Sequence, residues 1–333
     1  MSTTGTPLTK KDFKSDQDVR WCPGCGDYSI LNAVQTAFAE LGKKPHEVAI
    51  VSGIGCSSRF PYYMETYGFH TLHGRAPTIA TGLKLANPDL DVWVVTGDGD
   101  ALSIGGNHLI HVLRRNVGLK ILLFNNRIYG LTKGQFSPTS ERGKKTKSTP
   151  MGSVDEPFSP IGLALGANAT FVARSVDIFA QHLVAMVKRM DAHRGTSLLE
   201  IYQNCNIFND GAYKSFTDKE LRDDRVVELH QGKPLLFGKN LDKGLSFDAD
   251  LRPRIVEKAD AATWDEHRAN PAYATALAHA DEASLPVPIG VFRDVARSPF
   301  ESDLRNQLAV AGERKTESLD ELLLGNETWT VGS

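Results

Sequence analysis

Cysteine is scarce in this chain: four in 333 residues, at positions 22, 25, 56 and 205. That is too few for the disulfide framework of a small secreted domain and suits a protein of the reducing cytoplasm. No apolar run is long enough to span a bilayer, and there is no signal-peptide h-region. Neither sign of charge is in excess, since 38 Lys+Arg stand against 40 Asp+Glu for a net −2. General attraction to nucleic acid or to an anionic membrane is thereby excluded. No internal repeat is present. What remains, 41% hydrophobic and 23% charged residues, is ordinary for a globular protein of one large or two modest domains.

Two of the four cysteines fall in Trp21-Cys22-Pro23-Gly24-Cys25-Gly26. A Cys-x-x-Cys pair can hold zinc, hold an iron–sulfur cluster, or cycle between dithiol and disulfide. The motif by itself leaves all three open.

Short apolar runs ending in Gly, Asp or Asn recur at 48–53, 91–98 and 119–126, with further runs at 169–173 and 197–202. Runs apolar at every position suit strands covered on both faces. Between them, helix-period segments occupy 28–41, 76–86, 109–115 and 176–190. The alternation predicts an α/β fold with a doubly wound parallel sheet, whose ligands sit beyond the carboxyl ends of the strands. Three stretches fall there: Gly53–Ser58, Gly97–Asp100 and Asn125–Gly130. The expected organisation is a polar N-terminal arm over 1–19, a cofactor-binding domain over 20–215, and a C-terminal extension over 216–333 packing on the domain or on a partner. The segment 134–160 is a long polar loop with Arg142, Lys144, Lys145 and Lys147. Such a cluster faces an anionic ligand or is simply solvated.

Gly97-Asp98-Gly99-Asp100 follows one predicted strand, and Asn125-Asn126 closes the next, with residues 100–124 between Gly99 and Asn125. This GDG…NN pattern resembles the thiamine diphosphate motif. A diphosphate binds through a hard divalent ion, and Mg²⁺ takes oxygen ligands. Asp98 and Asn126 would supply two, and a backbone carbonyl at Ile128 a third. Gly97 and Gly99 let the backbone approach the phosphates at a helix N-terminus. A dinucleotide site fits less well, because no G-x-G-x-x-G follows the first strand.

With Gly53-Ile54-Gly55-Cys56-Ser57-Ser58, His73-Gly74-Arg75-Ala76, and Tyr129-Gly130-Leu131-Thr132-Lys133-Gly134-Gln135 followed by Ser137-Pro138-Thr139, the chain resembles the β subunit of the 2-oxoacid:ferredoxin oxidoreductases over about residues 20–215. Arg59-Phe60-Pro61-Tyr62-Tyr63 looks most like the 2-oxoglutarate enzymes of that family. The resemblance implies a thiamine diphosphate-binding fold and a [4Fe–4S] cluster on Cys22, Cys25, Cys56 and Cys205. It also implies cofactor contacts from Ile54, Gly55, Cys56, Ser57, His73, Gly99, Asp100, Gly130 and Leu131, with His73 as the catalytic candidate. Three features favour a cluster over the alternatives. Cys56 lies beside the diphosphate loop, the fourth cysteine is far from the others in sequence, and Cys22 follows a polar arm rather than a buried strand. Arg59 is the candidate for a distal substrate carboxylate, since guanidinium matches carboxylate geometry. His108 and His111 resemble a metal pair at i and i+3, but nothing near them in sequence completes a site, and a packing or solvent-facing role is expected.

The activity so implied is oxidative decarboxylation of 2-oxoglutarate with coenzyme A to succinyl-CoA and CO₂, reversible in the family, with electrons leaving through the cluster to ferredoxin. The activating glutamate of thiamine enzymes is placed by the family on a separate α, or fused γα, subunit, and no Glu here takes that role. The chain is therefore expected to be half an active site, in a heterodimer or a dimer of heterodimers. The alternatives are pyruvate or a branched-chain oxo acid as substrate, a non-redox thiamine decarboxylase subunit, and an electron-transfer subunit without thiamine.

Overall fold

Strands that are apolar at every position become the middle layer of a three-layer structure. The computed structural model describes residues 8–314, 318–325, 327–329 and 331–332. In chain order the first elements are α1 (Asp27–Glu40), β1 (Val48–Ser52), β2 (Tyr67–His70), α2 (Ala76–Ala86), β3 (Asp91–Gly97), α3 (Asp98–Leu102), α4 (Gly106–Arg115) and β4 (Leu119–Asn125). Then come α5 (Pro160–Gly166), β5 (Phe171–Val176), α6 (Ala180–Ala192), β6 (Ser197–Tyr202), α7 (Lys214–Thr217) and α8 (Arg222–Arg225). The last are β7 (Val226–Leu229), β8 (Leu236–Phe237), β9 (Lys243–Phe247), β10 (Pro253–Glu257), α9 (Ala272–Ala278), β11 (Val287–Asp294), α10 (Phe300–Glu313) and α11 (Leu319–Leu324).

Eight strands form one sheet in the order β2-β1-β3-β4-β6-β5-β11-β7. The first six are mutually parallel; β11 runs antiparallel to β5, and β7 is parallel to β11. The two-residue period sends Val92, Val94, Ile121 and Leu123 to one core, where α2, α4 and α5 cover them. Trp93, Val95, Leu122 and Phe124 go to the other core, under α1 and α6. Each fully buried side chain of this size contributes about 1.5–3 kcal/mol. With both faces occupied, only the strand ends are free to build a site. The carboxyl ends of β1, β3, β4 and β6 lie on one rim.

Two expectations change. The polar arm is fastened from residue 8 onward, while residues 1–7 lie outside the described residues. Lys10–Phe13 forms a short 3₁₀ turn, and Phe13 is fully buried with its ring 5.6 Å from that of Phe38. One apolar residue thus outweighs the charges around it. The stretch 216–333 is more than an extension beside the domain, because β11 and β7 continue the main sheet past β5. Pro288 and Gly290 interrupt the apolar run of β11 and hide it in the sequence. Arg174 of β5 donates to the Pro288 carbonyl at 3.3 Å. Ahead of β11, Glu282 accepts from Arg127 at 2.7 Å and from the Tyr202 hydroxyl at 2.8 Å, tying this segment to the strand ends. No helix among the described residues is long and apolar enough to cross a membrane.

Candidate active site

The four cysteines, up to 183 positions apart in sequence, line one cavity of about 200 Å³ together with Trp21, Asp27, Asn126, Gly130 and Gln203. Cys22 and Cys25 precede α1, Cys56 follows β1, and Cys205 follows β6, so the sheet order brings them to the same rim. Hydrogen bonds onto backbone carbonyls stitch the loops. Gly26 N–H donates to the Asn204 carbonyl at 3.2 Å, Asn206 Nδ2 to the Pro23 carbonyl at 2.7 Å, and Trp21 Nε1 to the Cys56 carbonyl at 2.6 Å. A Cβ placed on Gly130 would lie 3.5 Å from Cys205 Sγ and 3.6 Å from Cys56 Sγ. Burial pushes the Cys56 thiol up to about 12, with Asp27 and the neighbouring sulfurs adding to the effect. The same causes raise Cys25 further. Desolvation also lifts the Asp27 carboxyl to about 7. Grouped thiols that resist ionisation on their own are a donor set for a cationic metal centre, which reverses that preference. Among the described residues, no three cysteine sulfurs all lie within 4.8 Å of one another. A Zn–S₄ tetrahedron with bonds of 2.3 Å has edges of about 3.8 Å.

The second part of the rim is the cradle after β3. Asp98 is buried, and burial raises its carboxyl above the usual range despite the hydroxyls bonded to it. Ser137 Oγ donates to Asp98 Oδ2 at 2.5 Å and Thr139 Oγ1 to the same oxygen at 2.7 Å. Since β3 and β4 are paired with Gly97 opposite Phe124, Asp98 and Asn126 stand at neighbouring strand ends. Asn126 Oδ1 accepts from Ile128 N–H at 3.2 Å, which closes the turn bearing the Ile128 carbonyl. Asn125 turns the other way, donating to buried Glu200 at 2.8 Å. At Gly99 any Cβ would lie 2.2 Å from the Tyr129 ring, and the Tyr129 hydroxyl donates to the Gly99 carbonyl at 2.9 Å. A buried, desolvated carboxylate beside amide and carbonyl oxygens is the donor set that a hard divalent cation takes. These residues fit a Mg²⁺-diphosphate.

The third part is the loop after β1, which passes Cys56 on to a 3₁₀ turn at Ser57–Tyr63. Asp100 organises it from within α3. Its Oδ1 accepts from Ile54 N–H at 3.1 Å and Gly74 N–H at 2.7 Å and lies 2.9 Å from His73 Nδ1. Its Oδ2 accepts from Thr96 Oγ1 at 2.7 Å. Asp100 is thus occupied by protein donors and holds the loops of Ile54 and His73, a role its place after GDG does not disclose. Gly55 has φ +134°, and a Cβ placed on it would meet nothing within 4 Å, so the backbone bends there toward open space. That space is a cavity of about 660 Å³ lined by Ile54, Gly55, Arg59, Tyr62, His70 and Leu131. Arg59 and Leu131 line the cysteine cavity as well. Ser57 is buried, with its Oγ 3.4 Å from a Cβ placed on Gly97.

Ser137, Thr139, Asn209 and Gln203 are given no role of their own in the sequence reading, yet they build the site. Ser137 and Thr139 reach Asp98 across the chain. Asn209 is buried, donates from Nδ2 to the Asn126 carbonyl at 2.9 Å, and gives its backbone N–H to the Cys205 carbonyl at 2.9 Å, so it joins the cradle to the cysteine loop. Lys144 of the basic loop donates to Asn209 Oδ1, which places that loop against the rim. Gln203, also buried, donates to the Cys25 sulfur at 3.3 Å. His108 and His111 are not brought into any such site: His108 contacts Arg75, and His111 is exposed.

Comparison with known proteins agrees with this geometry. The family model "Thiamine pyrophosphate enzyme, C-terminal TPP binding domain" matches residues 53–201. The chain is 52% identical to the 2-oxoglutarate oxidoreductase subunit KorB of Mycobacterium tuberculosis, over 99% of this chain and 90% of that protein. It is 38% identical to 2-oxoacid:ferredoxin oxidoreductase 1, subunit beta, of Aeropyrum pernix, over 88% and 81% of the two chains. Among solved structures, the 2-oxoglutarate:ferredoxin oxidoreductase of Magnetococcus marinus, determined with 2-oxoglutarate, coenzyme A and succinyl-CoA bound, superposes with a TM-score of 0.78 at 31% identity over 98% of both chains. The resemblance read from six short motifs therefore extends over nearly the whole length, and the chain belongs to the 2-oxoacid:ferredoxin oxidoreductase family, as a β subunit.

Proposed function

We propose that this β subunit, with an α or fused γα partner, oxidatively decarboxylates 2-oxoglutarate and transfers the succinyl group to coenzyme A, passing electrons to ferredoxin. The carrying observation is that a four-cysteine cavity and an open cavity below the Ile54–Gly55 loop share Arg59 and Leu131. A thiamine cradle and a one-electron site so placed suit redox decarboxylation better than a non-redox reaction.

In this reading Asp98, Asn126 and the Ile128 carbonyl hold Mg²⁺, and Ile54, Gly55, Ser57, His73, Gly99, Gly130 and Leu131 form the thiamine diphosphate surface. Thiamine diphosphate, when bound, supplies the nucleophilic carbon and the electron sink that decarboxylation needs. Cys22, Cys25, Cys56 and Cys205 hold a [4Fe–4S] cluster, whose size suits the spread of their sulfurs better than a single zinc ion does and which supplies one-electron chemistry. Asp100 fixes the Ile54 and His73 loops, and His73, its imidazole partly exposed beside the Asp100 carboxylate, orients polar groups of cofactor or substrate. Arg59 binds the distal carboxylate. Heterodimers or their dimers in the cytoplasm complete the reading.

The test is anaerobic co-purification with the partner, then assay of 2-oxoglutarate against pyruvate with coenzyme A and a low-potential acceptor. Iron and sulfide at about four each per β chain are expected, together with preference for 2-oxoglutarate. Equal turnover of pyruvate would overturn the substrate assignment, and a colourless zinc protein the cluster. Arg59→Ala should raise the 2-oxoglutarate KM by roughly 10- to 100-fold, the worth of a charge-assisted contact.

A further inference from the structure

Gln203 is buried to 1% exposure at the end of β6, two residues before Cys205. Its Nε2 donates to the Asn204 carbonyl at 2.6 Å and to Cys25 Sγ at 3.3 Å. Both neighbours are acceptors, so the amide orientation is determined by its surroundings: a flip would set oxygen against oxygen and sulfur. The opposite end of the amide, Oε1, is buried and has no partner among the described residues. Burying an unpaired amide oxygen costs about 1–3 kcal/mol, which a Leu or Met of similar volume would avoid. Holding the Asn204 carbonyl does not account for that cost, because Gly26 N–H already donates to it at 3.2 Å. The contact that only Gln203 makes is the one to the sulfur.

We propose that Gln203 is a positioning residue that acts through Cys25, its N–H···S bond raising the reduction potential of the cluster held by the four cysteines. This rests on the function proposed above. A donor aimed at a ligand sulfur stabilises the more electron-rich reduced state over the oxidised one. One electron enters the cluster and one leaves to the acceptor in each passage, and the amide neither gains nor loses a proton. Its amide acts on the Cys25 sulfur without adding charge to the cavity.

The experiment is an EPR-monitored redox titration of the anaerobic α–β complex, with iron, sulfide and thiamine diphosphate binding measured in the same samples. Gln203→Met and Gln203→Leu should keep cluster content and thiamine affinity but lower the midpoint. The reduced-to-oxidised ratio at fixed potential should fall by roughly 3- to 10-fold, where tenfold is 59 mV for one electron. Gln203→Glu, which sets a carboxylate against the sulfur, should lower it further. An unchanged midpoint in fully loaded Met and Leu variants overturns the proposal. So does loss of the cluster in all three, which would make Gln203 an assembly residue. Absence of iron and sulfide from the wild-type complex would instead sink the underlying function.

Discussion

Removing the Asp100 carboxylate should loosen the loops of Ile54 and His73 while sparing the sheet beneath. The carboxylate takes hydrogen bonds from two backbone N–H groups, Ile54 and Gly74, and from the Thr96 hydroxyl, with His73 Nδ1 alongside. Asp100→Ala leaves the two N–H groups without a partner, at about 1–3 kcal/mol each, so the expected cost is about 2–6 kcal/mol. Asp100→Asn keeps an acceptor facing both N–H groups and loses the charge; Thr96 can turn its hydroxyl to accept from the new amide. Its cost is about 1–2 kcal/mol. If the loops open locally rather than with the whole domain, the Asn variant weakens thiamine diphosphate binding by roughly 5- to 30-fold at nearly unchanged global stability. Urea unfolding and cofactor titration by intrinsic fluorescence, run on both variants in the α–β complex, separate the two contributions. Wild-type cofactor binding by Asp100→Ala, or greater damage in the Asn variant than in the Ala variant, would refute this role for Asp100.

Thr139→Val removes a hydroxyl from Asp98 Oδ2 at constant shape and should raise the apparent Mg²⁺ Kd by roughly 3- to 20-fold in a metal titration; tighter binding would refute the role. Gly99→Ala drives a methyl into the Tyr129 ring, so thiamine diphosphate binding should collapse and partly return when Tyr129→Leu is added; no recovery in the double variant counts against the close approach. Glu282→Gln should destabilise the chain by about 1–3 kcal/mol at pH 7 by removing one of the two carboxylates that pair the largely buried Arg127, Glu141 being the other. Burial pushes the Glu282 carboxyl up, but Arg127, Arg174 and Tyr202 outweigh it and hold it below its ordinary value of 4.5. Its contribution is therefore present above that value and lost as pH falls through the lowered one. Denaturation midpoints of wild type and variant should converge in acid, and a gap that persists there would exclude the ion pair as its cause.

The strands at 48–52, 91–97 and 119–125 were legible because a strand covered on both faces needs an apolar residue at every position, and that leaves a continuous run. Strand β2 was not, since all four of its residues are exposed at the sheet edge and no core selects them. Strand β11 escaped because Pro288 and Gly290 break its run, although the sheet accommodates both. Asp98 and Asn126 were legible as candidates because they follow predicted strands, and the four cysteines because the chain has no others. Asp100 was legible as a position, and only the fold shows that its carboxylate accepts from Ile54 N–H, Gly74 N–H and the Thr96 hydroxyl.

The amino-acid order by itself determined which atoms are available: four thiols, one carboxylate after a glycine, one amide at the next strand end, and a sheet to carry them. The tertiary structure alone decided which of them meet. Strand order places Cys205 beside Cys25 and Cys56, and it turns the Ser137–Thr139 loop back onto Asp98. Asn209 and Gln203 acquire a role only because β6 runs next to β4. Contacts between loops at neighbouring strand ends depend on sheet order and register, and the periodicity of a single strand does not encode its neighbours.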